Sequence, residues 1–492
     1  MTTIPDDPVF ATFLGRYPAY GETRGIDALR QTDFARLDAA GHVYLDYTGG
    51  SLYAESQVRE HAQLLAGEVF GNPHSANPTS AATTALVERA RRAVLDWCGA
   101  SADEYTVVFT PNCTGALKLV GESFPFAASS ALLLSTDNHN SVNGIREFAV
   151  SAGARVDYAP LTTPDLRLDV EALRLRLAQR GGGPSLFVYP AQSNFTGVRH
   201  PLGFVREARR AGWTVILDAA AFVPTSRLVV DEVQPDFVTL SFYKVFGYPT
   251  GVGALIARKA ALAQLRRPWF AGGTVNFATV SGRRHLLSPG EAAFEDGTLN
   301  YLSIPAVDIG LRLLARVGIE TIHTRVECLT AWLLEALLAL QHSNGRPMVR
   351  IYGPASTRER GGTVTLNFYD PEGHLLDYRR VEEMAGAEGI SLRTGCFCNP
   401  GAGETAEGLT DVDVDAALSA DADMSLPRFL QFITHRSGKS AGAIRVSLGL
   451  VSTFGDVNRF IGFARGFRDQ SRLAIGEASF DIESCRIIRD GS

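Results

Sequence analysis

Cysteine is scarce in this chain, six residues in 492, and that scarcity excludes a scaffold built on disulfides. Long apolar runs are missing too: nowhere do about 18 apolar residues follow one another, the length a membrane-spanning helix needs. The N-terminus has no basic stretch leading into an apolar one, so no secretory signal is expected and the chain reads as cytoplasmic, without a membrane partner. Positive charge is not in excess, with 47 Lys and Arg against 53 Asp and Glu, which leaves no basic footprint for nucleic acid. What is present is ordinary globular composition, 45% hydrophobic and 20% charged, in a chain long enough for a large core and more than one domain.

Against that background one segment stands out. Thr239-Leu240-Ser241-Phe242-Tyr243-Lys244 reads as a buried β-run that delivers a lysine into a turn containing Gly247, Pro249 and Gly251. Desolvation at the end of an apolar strand lowers an ammonium's proton affinity and frees the amine to attack a carbonyl. A surface lysine capping a strand would look the same on that segment alone. Upstream, the apolar run 213–217 ends in Asp218. An acid and a lysine at the carboxyl ends of two buried strands are what pyridoxal phosphate requires: the carboxylate pairs with the ring nitrogen and the lysine holds the aldehyde.

The phosphate of such a cofactor needs donors at a turn. Thr110-Pro111-Asn112-Cys113-Thr114-Gly115 offers amides and a hydroxyl between a strand and a helical pattern, so Thr114 and Cys113 are candidate cofactor contacts. The stretches 272–274 and 294–300 hold further hydroxyls, among them Thr298. Asp137-Asn138-His139-Asn140-Ser141 follows another strand end, and its His139 is placed to stack on a ring or move protons.

Two cysteines differ from the rest. Cys98, Cys113, Cys328 and Cys485 are scattered and read as small core or boundary residues, whereas Cys396 and Cys398 share a turn-rich loop, Arg393-Thr394-Gly395-Cys396-Phe397-Cys398-Asn399-Pro400-Gly401. No second Cys/His pair completes a metal site, so no metal is expected. A nucleophile fits better, because a thiol on a loop reaches a substrate held elsewhere.

The apolar runs 106–109, 131–134, 186–189, 215–217 and 238–240 alternate with helical or turn-rich stretches, and Leu86, Ala90, Val94 and Trp97 fall at helical spacing over 83–97. That alternation predicts an α/β fold with a mainly parallel sheet flanked by helices. The expected organisation is an N-terminal arm over 1–40 packing on the small domain, a large domain over 41–315, and a smaller C-terminal α/β domain over 316–492. Between Arg393 and Arg428 the chain has no Lys or Arg, and 403–427 reads as a solvated acidic insertion.

Seven segments together carry a family resemblance: Tyr44-Leu45-Asp46-Tyr47-Thr48-Gly49-Gly50, Phe70-Gly71-Asn72-Pro73-His74-Ser75, Tyr189-Pro190-Ala191-Gln192-Ser193-Asn194-Phe195-Thr196-Gly197-Val198-Arg199, the Ser-Phe-Tyr-Lys segment ending at Lys244, 294–300, 393–398, and Ile444-Arg445-Val446-Ser447-Leu448-Gly449. The chain resembles class V aminotransferase-fold enzymes of the cysteine desulfurase type, and within them the molybdenum cofactor sulfurase branch. The resemblance implies a pyridoxal-phosphate enzyme of fold type I. It implies Lys244 as the Schiff-base lysine, Asp218 at the ring nitrogen, His139 over the ring, and Thr114 and Ser241 at the phosphate. Thr298 matches a position that in the family reaches across a homodimer interface. Asn194 matches the residue near the cofactor hydroxyl and substrate, Arg445 the clamp for the substrate carboxylate, and Cys398 the sulfur-accepting nucleophile, with Arg393 near that thiol. L-Cysteine would become L-alanine and leave a persulfide on Cys398.

The chain also departs from the family. Ala221 stands where many desulfurases have glutamine, and Tyr243 where histidine commonly precedes the lysine; both variants look like the sulfurase branch. Relatives in that branch continue into a further cofactor-binding domain, which leaves the sulfur acceptor open. A lyase or aminotransferase acting on another amino acid is the alternative, and a non-catalytic binding protein a third reading that Lys244, Asp218 and Arg445 oppose.

Overall fold

The computed structural model describes residues 7–73, 75–409, 412, 415, 442–471, 479–481 and 486–488. Seven strands form the central sheet: β1 (Tyr105–Thr110), β2 (Ala131–Ser135), β3 (Arg155–Ala159), β4 (Leu186–Pro190), β5 (Thr214–Asp218), β6 (Phe237–Ser241) and β7 (Gly253–Arg258). Their order is β1-β7-β6-β5-β4-β2-β3. The pairs β3/β2, β2/β4, β4/β5 and β5/β6 are parallel, and β7 runs antiparallel to both β6 and β1.

Side-chain alternation explains why these runs are almost wholly apolar. Phe109, Leu133, Phe187, Tyr189, Val215, Leu217, Val238 and Leu240 enter one core cluster, while Val108, Leu132, Leu134, Leu186, Val188, Ile216 and Phe237 enter another. Successive residues point to opposite faces, and helices cover both faces, so neither half of the pattern is left polar. Helix Pro78–Trp97 starts with Asn77 accepting from the Ser80 N–H and with Pro78 in its first turn, a combination that satisfies one orphan donor and presets the backbone. It buries Val87, Ala90 and Val94.

Helix Pro305–Val317 stops at Gly318, which has φ 85°, and helix Ile319–Leu338 begins at once. The expected domain boundary lies just before that glycine. Beyond it a second, antiparallel sheet forms from β8 (Val349–Tyr352), β9 (Thr363–Phe368), β10 (Arg393–Gly395) and β11 (Ala443–Ser447), in the order β8-β9-β11-β10. The N-terminal residues lie against this part of the chain: Phe13 meets Trp332 and Phe454. Arg30 pairs with Asp456 at 2.6 Å.

Two expectations need correction. The β-run through Lys244 ends at Ser241, and Phe242–Phe246 is a helical turn. The acidic insertion does not begin at Gly403, because Pro400–Glu407 is a helix capped by Asn399 with Gly401, Ala402 and Ala406 buried. Asn399-Pro400 supplies the cap and the preset first turn. From 410 onward that segment, apart from residues 412 and 415, lies outside the described residues, as do His74 and Cys485.

Candidate active site

The helical turn after β6 explains how Lys244 reaches the site. It places Phe242, Val245 and Phe246 in the core and leaves Lys244 on the other side, lining a cavity of about 150 Å³. Gly247 ends the turn at φ 80°, and a Cβ there would lie 2.4 Å from the backbone of Leu52 and Tyr53, so only glycine closes it. Burial lowers the proton affinity of the Lys244 amine below the ordinary lysine value. The Asp218 carboxylate opposes that shift, and Arg445 and Arg393 add to it. Asp218 ends β5, beside β6 in register with Thr239, and lines the same cavity. Its Oδ1 accepts the Ala220 N–H at 3.0 Å and lies 3.5 Å from the Cys113 thiol.

An anion cradle borders these groups. Asn112 caps helix Cys113–Ser123 by accepting the Gly115 N–H at 2.9 Å. The Thr114 and Ser141 hydroxyls meet at 2.7 Å, and the Ser241 hydroxyl accepts the Cys113 N–H at 2.8 Å. Asn112, Cys113, Thr114, Ser141 and Ser241 all line the cavity. A helix N-terminus ringed by hydroxyls suits a phosphate. His139 caps the next short helix. The Ser141 N–H donates to its Nδ1 at 3.1 Å, so the neutral ring carries its proton on Nε2. Burial, with the Lys244 charge, lowers the imidazole's proton affinity against the pull of Asp218.

The thiol loop is fastened to this pocket at four points. The Asn140 N–H donates to the Cys398 carbonyl at 2.7 Å. Asn194 Nδ2 donates to the Phe397 carbonyl at 2.8 Å. Asn399 Nδ2 donates to the Asp137 carbonyl at 2.7 Å and to Asn194 Oδ1 at 2.8 Å. The Phe397 ring lies 4.8 Å from the Arg445 guanidinium, a cation–π contact. Phe397 and Asn399, on either side of the exposed Cys398, are buried, and Cys396 is half-buried, so the loop is anchored by the residues that flank its exposed cysteine.

Register accounts for the arginines. Arg393 on β10 faces Arg445 on β11, and like charges directly opposite each other repel. Asp46 resolves this. Its backbone bridges to Ser447, and its carboxylate accepts from Arg393 at 2.7 and 2.9 Å and from Arg445 at 3.0 Å. Arg445 also donates to the Asn194 carbonyl at 3.1 Å. Desolvation lowers the proton affinity of Arg445, against Asp46. Arg393 is held by Asp46, and the nearby Tyr44 and Glu382 add to the pull on its proton.

Lys244, Asp218, Cys113, Thr114, Ser241, His139 and Asn194 thus surround one cavity, with Arg445, Arg393 and Cys398 tied to it through Asp46 and the loop. Thr298 is not among them. It borders a separate cavity of about 350 Å³ with Thr110, Lys118 and Asn300, and accepts from Asn72 at 3.2 Å. Asp46, Ser141, Gln192 and Asn399 emerge only from the structure. All four sit inside the segments that carried the reading, but nothing local marks Asp46 or Asn399, whose partners lie hundreds of positions away, and Ser141 meets Thr114 from a different helix.

The chain belongs to the class V aminotransferase family, whose model matches residues 43–460. It is 37% identical to molybdenum cofactor sulfurase of Solanum lycopersicum, over 92% of this chain and 59% of that protein. It is 36% identical to molybdenum cofactor sulfurase of Homo sapiens, over 90% of this chain and 52% of that one. The chain therefore spans between half and two thirds of the length of these relatives. Among solved structures, the cysteine desulfurase of Thermococcus onnurineus NA1 shares the fold, with a TM-score of 0.72 at 22% identity over 89% of this chain and 97% of that one. Pyridoxal phosphate is the cofactor of this family, and the pocket fits it: an amine of lowered proton affinity, a buried carboxylate at a neighbouring strand end and a hydroxyl-ringed helix N-terminus face one cavity.

Proposed function

We propose that the chain converts L-cysteine to L-alanine and carries the released sulfur as a persulfide on Cys398, with molybdenum cofactor as the acceptor that the names of its relatives indicate. When bound, pyridoxal phosphate supplies an electron sink conjugated to the substrate nitrogen. Lys244 Nζ would hold the cofactor through its aldehyde, and the free amine would serve as a base at the substrate Cα. Arg445 orients the substrate carboxylate through its planar fork, and His139 Nε2 holds a proton beside the cavity. The Cys398 thiolate attacks the substrate sulfur. An S–S bond forms, the substrate Cβ–S bond breaks, and the bonding pair stays on the carbon skeleton, which takes a proton and leaves as alanine.

The observation that carries this reading is the fastening of the Cys398 loop to the Lys244 pocket through Asn194, Asn399 and Asn140. A thiol with no part in the chemistry needs no such anchoring. Cys396 and Cys398 suit a reducing, cytoplasmic setting. A homodimer belongs to the same reading: Thr298 lies in a stretch whose Trp269, Phe270, Phe277, Val280, Leu286 and Leu302 are exposed, and apolar surface of this kind marks contact with another chain. The test is mass spectrometry of the protein after L-cysteine without reductant. The peptide bearing Cys398 should gain one sulfur atom, and gain elsewhere or nowhere would contradict the assignment.

A further inference from the structure

Gln192 follows β4 at the edge of the lysine cavity, with its backbone fixed by a bridge to Arg199. It is only 3% exposed. Among the described residues its Oε1 has no hydrogen-bond partner, and its amide nitrogen makes no side-chain hydrogen bond. A buried carboxamide left unpaired is costly, and native structures satisfy such groups with a ligand or water. The space for it is shaped: a Cβ on Gly361 would come within 2.1 Å of the Gln192 Oε1. On its other side stand Ala220 and Ala221, which border with it both the lysine cavity and a smaller one behind it. The nearby carboxamide of Asn194 is already engaged, its nitrogen with Phe397 and its oxygen with Asn399.

Sheet order says what Gln192 faces. The phosphate cradle's helix follows β1, Lys244 follows β6, Asp218 ends β5 and Gln192 follows β4. Gln192 therefore lies across Asp218 from the cradle. On a pyridoxal ring the hydroxyl and the phosphate arm flank the aldehyde carbon on opposite sides. With the nitrogen at Asp218, the aldehyde at Lys244 and the phosphate at Thr114, the hydroxyl edge turns toward Gln192. We propose that the Gln192 carboxamide is a cofactor contact in this chain, donating from Nε2 to the ring hydroxyl oxygen. The inference rests on the cofactor reading above, and is independent of which amino acid the enzyme consumes.

A donor to that oxygen stabilises its negative charge. The charge is least neutralised when the lysine-bound imine nitrogen has lost its proton, so the donor favours loss of that proton. Removing the donor moves the pH midpoint of the visible absorbance up. The experiment is a pH titration of the visible absorbance of cofactor-loaded protein, without substrate, for the parent, Gln192→Met and Gln192→Glu. Both substitutions should raise the midpoint by about one pH unit, the scale of one hydrogen bond to a charged group. Gln192→Glu keeps the shape of the side chain, so it decides the matter if Gln192→Met fails to fold. A midpoint that stays put or falls overturns the proposal. A parent protein with no pH-dependent visible band counts against the cofactor reading itself.

Discussion

Asn399 donates a hydrogen bond to Asn194 at 2.8 Å, and through it the loop that carries Cys398 is joined to the wall of the Lys244 cavity. Both side chains are buried. Asn399→Ala leaves Asn194 Oδ1 and the Asp137 carbonyl without this donor, a loss of about 1–3 kcal/mol for each buried group left unpaired. Denaturant titration measures that loss. Sulfide release from L-cysteine should drop by about tenfold or more, because the thiol is no longer held in reach, while the visible absorbance of the loaded cofactor persists. Unchanged sulfide release would show that the loop is positioned by its other contacts.

The Asp46 carboxylate neutralises two arginines that register places face to face. Asp46→Asn leaves the buried Arg445 without its countercharge, which should cost about 3 kcal/mol and appear as a lower thermal midpoint. Arg445→Lys keeps the charge but loses the fork, so KM for L-cysteine should rise by about tenfold with a smaller change in kcat. An unchanged KM would remove Arg445 from carboxylate recognition.

Lys244 sets a pH dependence of known sign. Its amine in the folded chain has less affinity for a proton than the ordinary lysine value of 10.5, so over that interval the unfolded chain binds more protons than the folded one. Stability of the cofactor-free protein should therefore rise with pH from the folded value up to 10.5 and then gain nothing further from this group. Lys244→Met should flatten that part of the profile and abolish the visible absorbance of the loaded protein. Parallel profiles for the two proteins would show that burial leaves this amine unshifted.

Much of this arrangement is legible in the sequence, for physical reasons. Buried parallel strands are apolar on both faces, so 186–189, 215–217 and 238–240 announce themselves, and the residues at their ends, Asp218 and Lys244, follow. The strand Arg155–Ala159 does not, because at the sheet's edge it is only partly buried and carries Arg and Asp. Gly253–Arg258 does not stand out either, since it returns antiparallel after only the short helical turn that carries Lys244. Lys244 sits in a helical turn that local β-propensity hides. Asp46 and Gln192 depend on contacts across sheets, and sequence spacing does not encode a bridge from Asp46 to Ser447.

Thr298 does not line the Lys244 cavity, and in the proposed homodimer it would meet the phosphate bound by the second copy. Light scattering of the purified protein should give twice the mass of one chain. Thr298→Ala should weaken cofactor retention, measured by dialysis, without changing that mass. A fully active monomer would contradict the dimer.

The most direct measurement adds L-cysteine and a reductant to the cofactor-loaded protein and quantifies alanine and sulfide together. The account predicts equal amounts of the two products, turnover lost in Cys398→Ser, and the resting absorbance of that variant intact. Turnover unaffected by Cys398→Ser, or an absorbance change with neither product formed, would contradict it and point to a different amino-acid substrate.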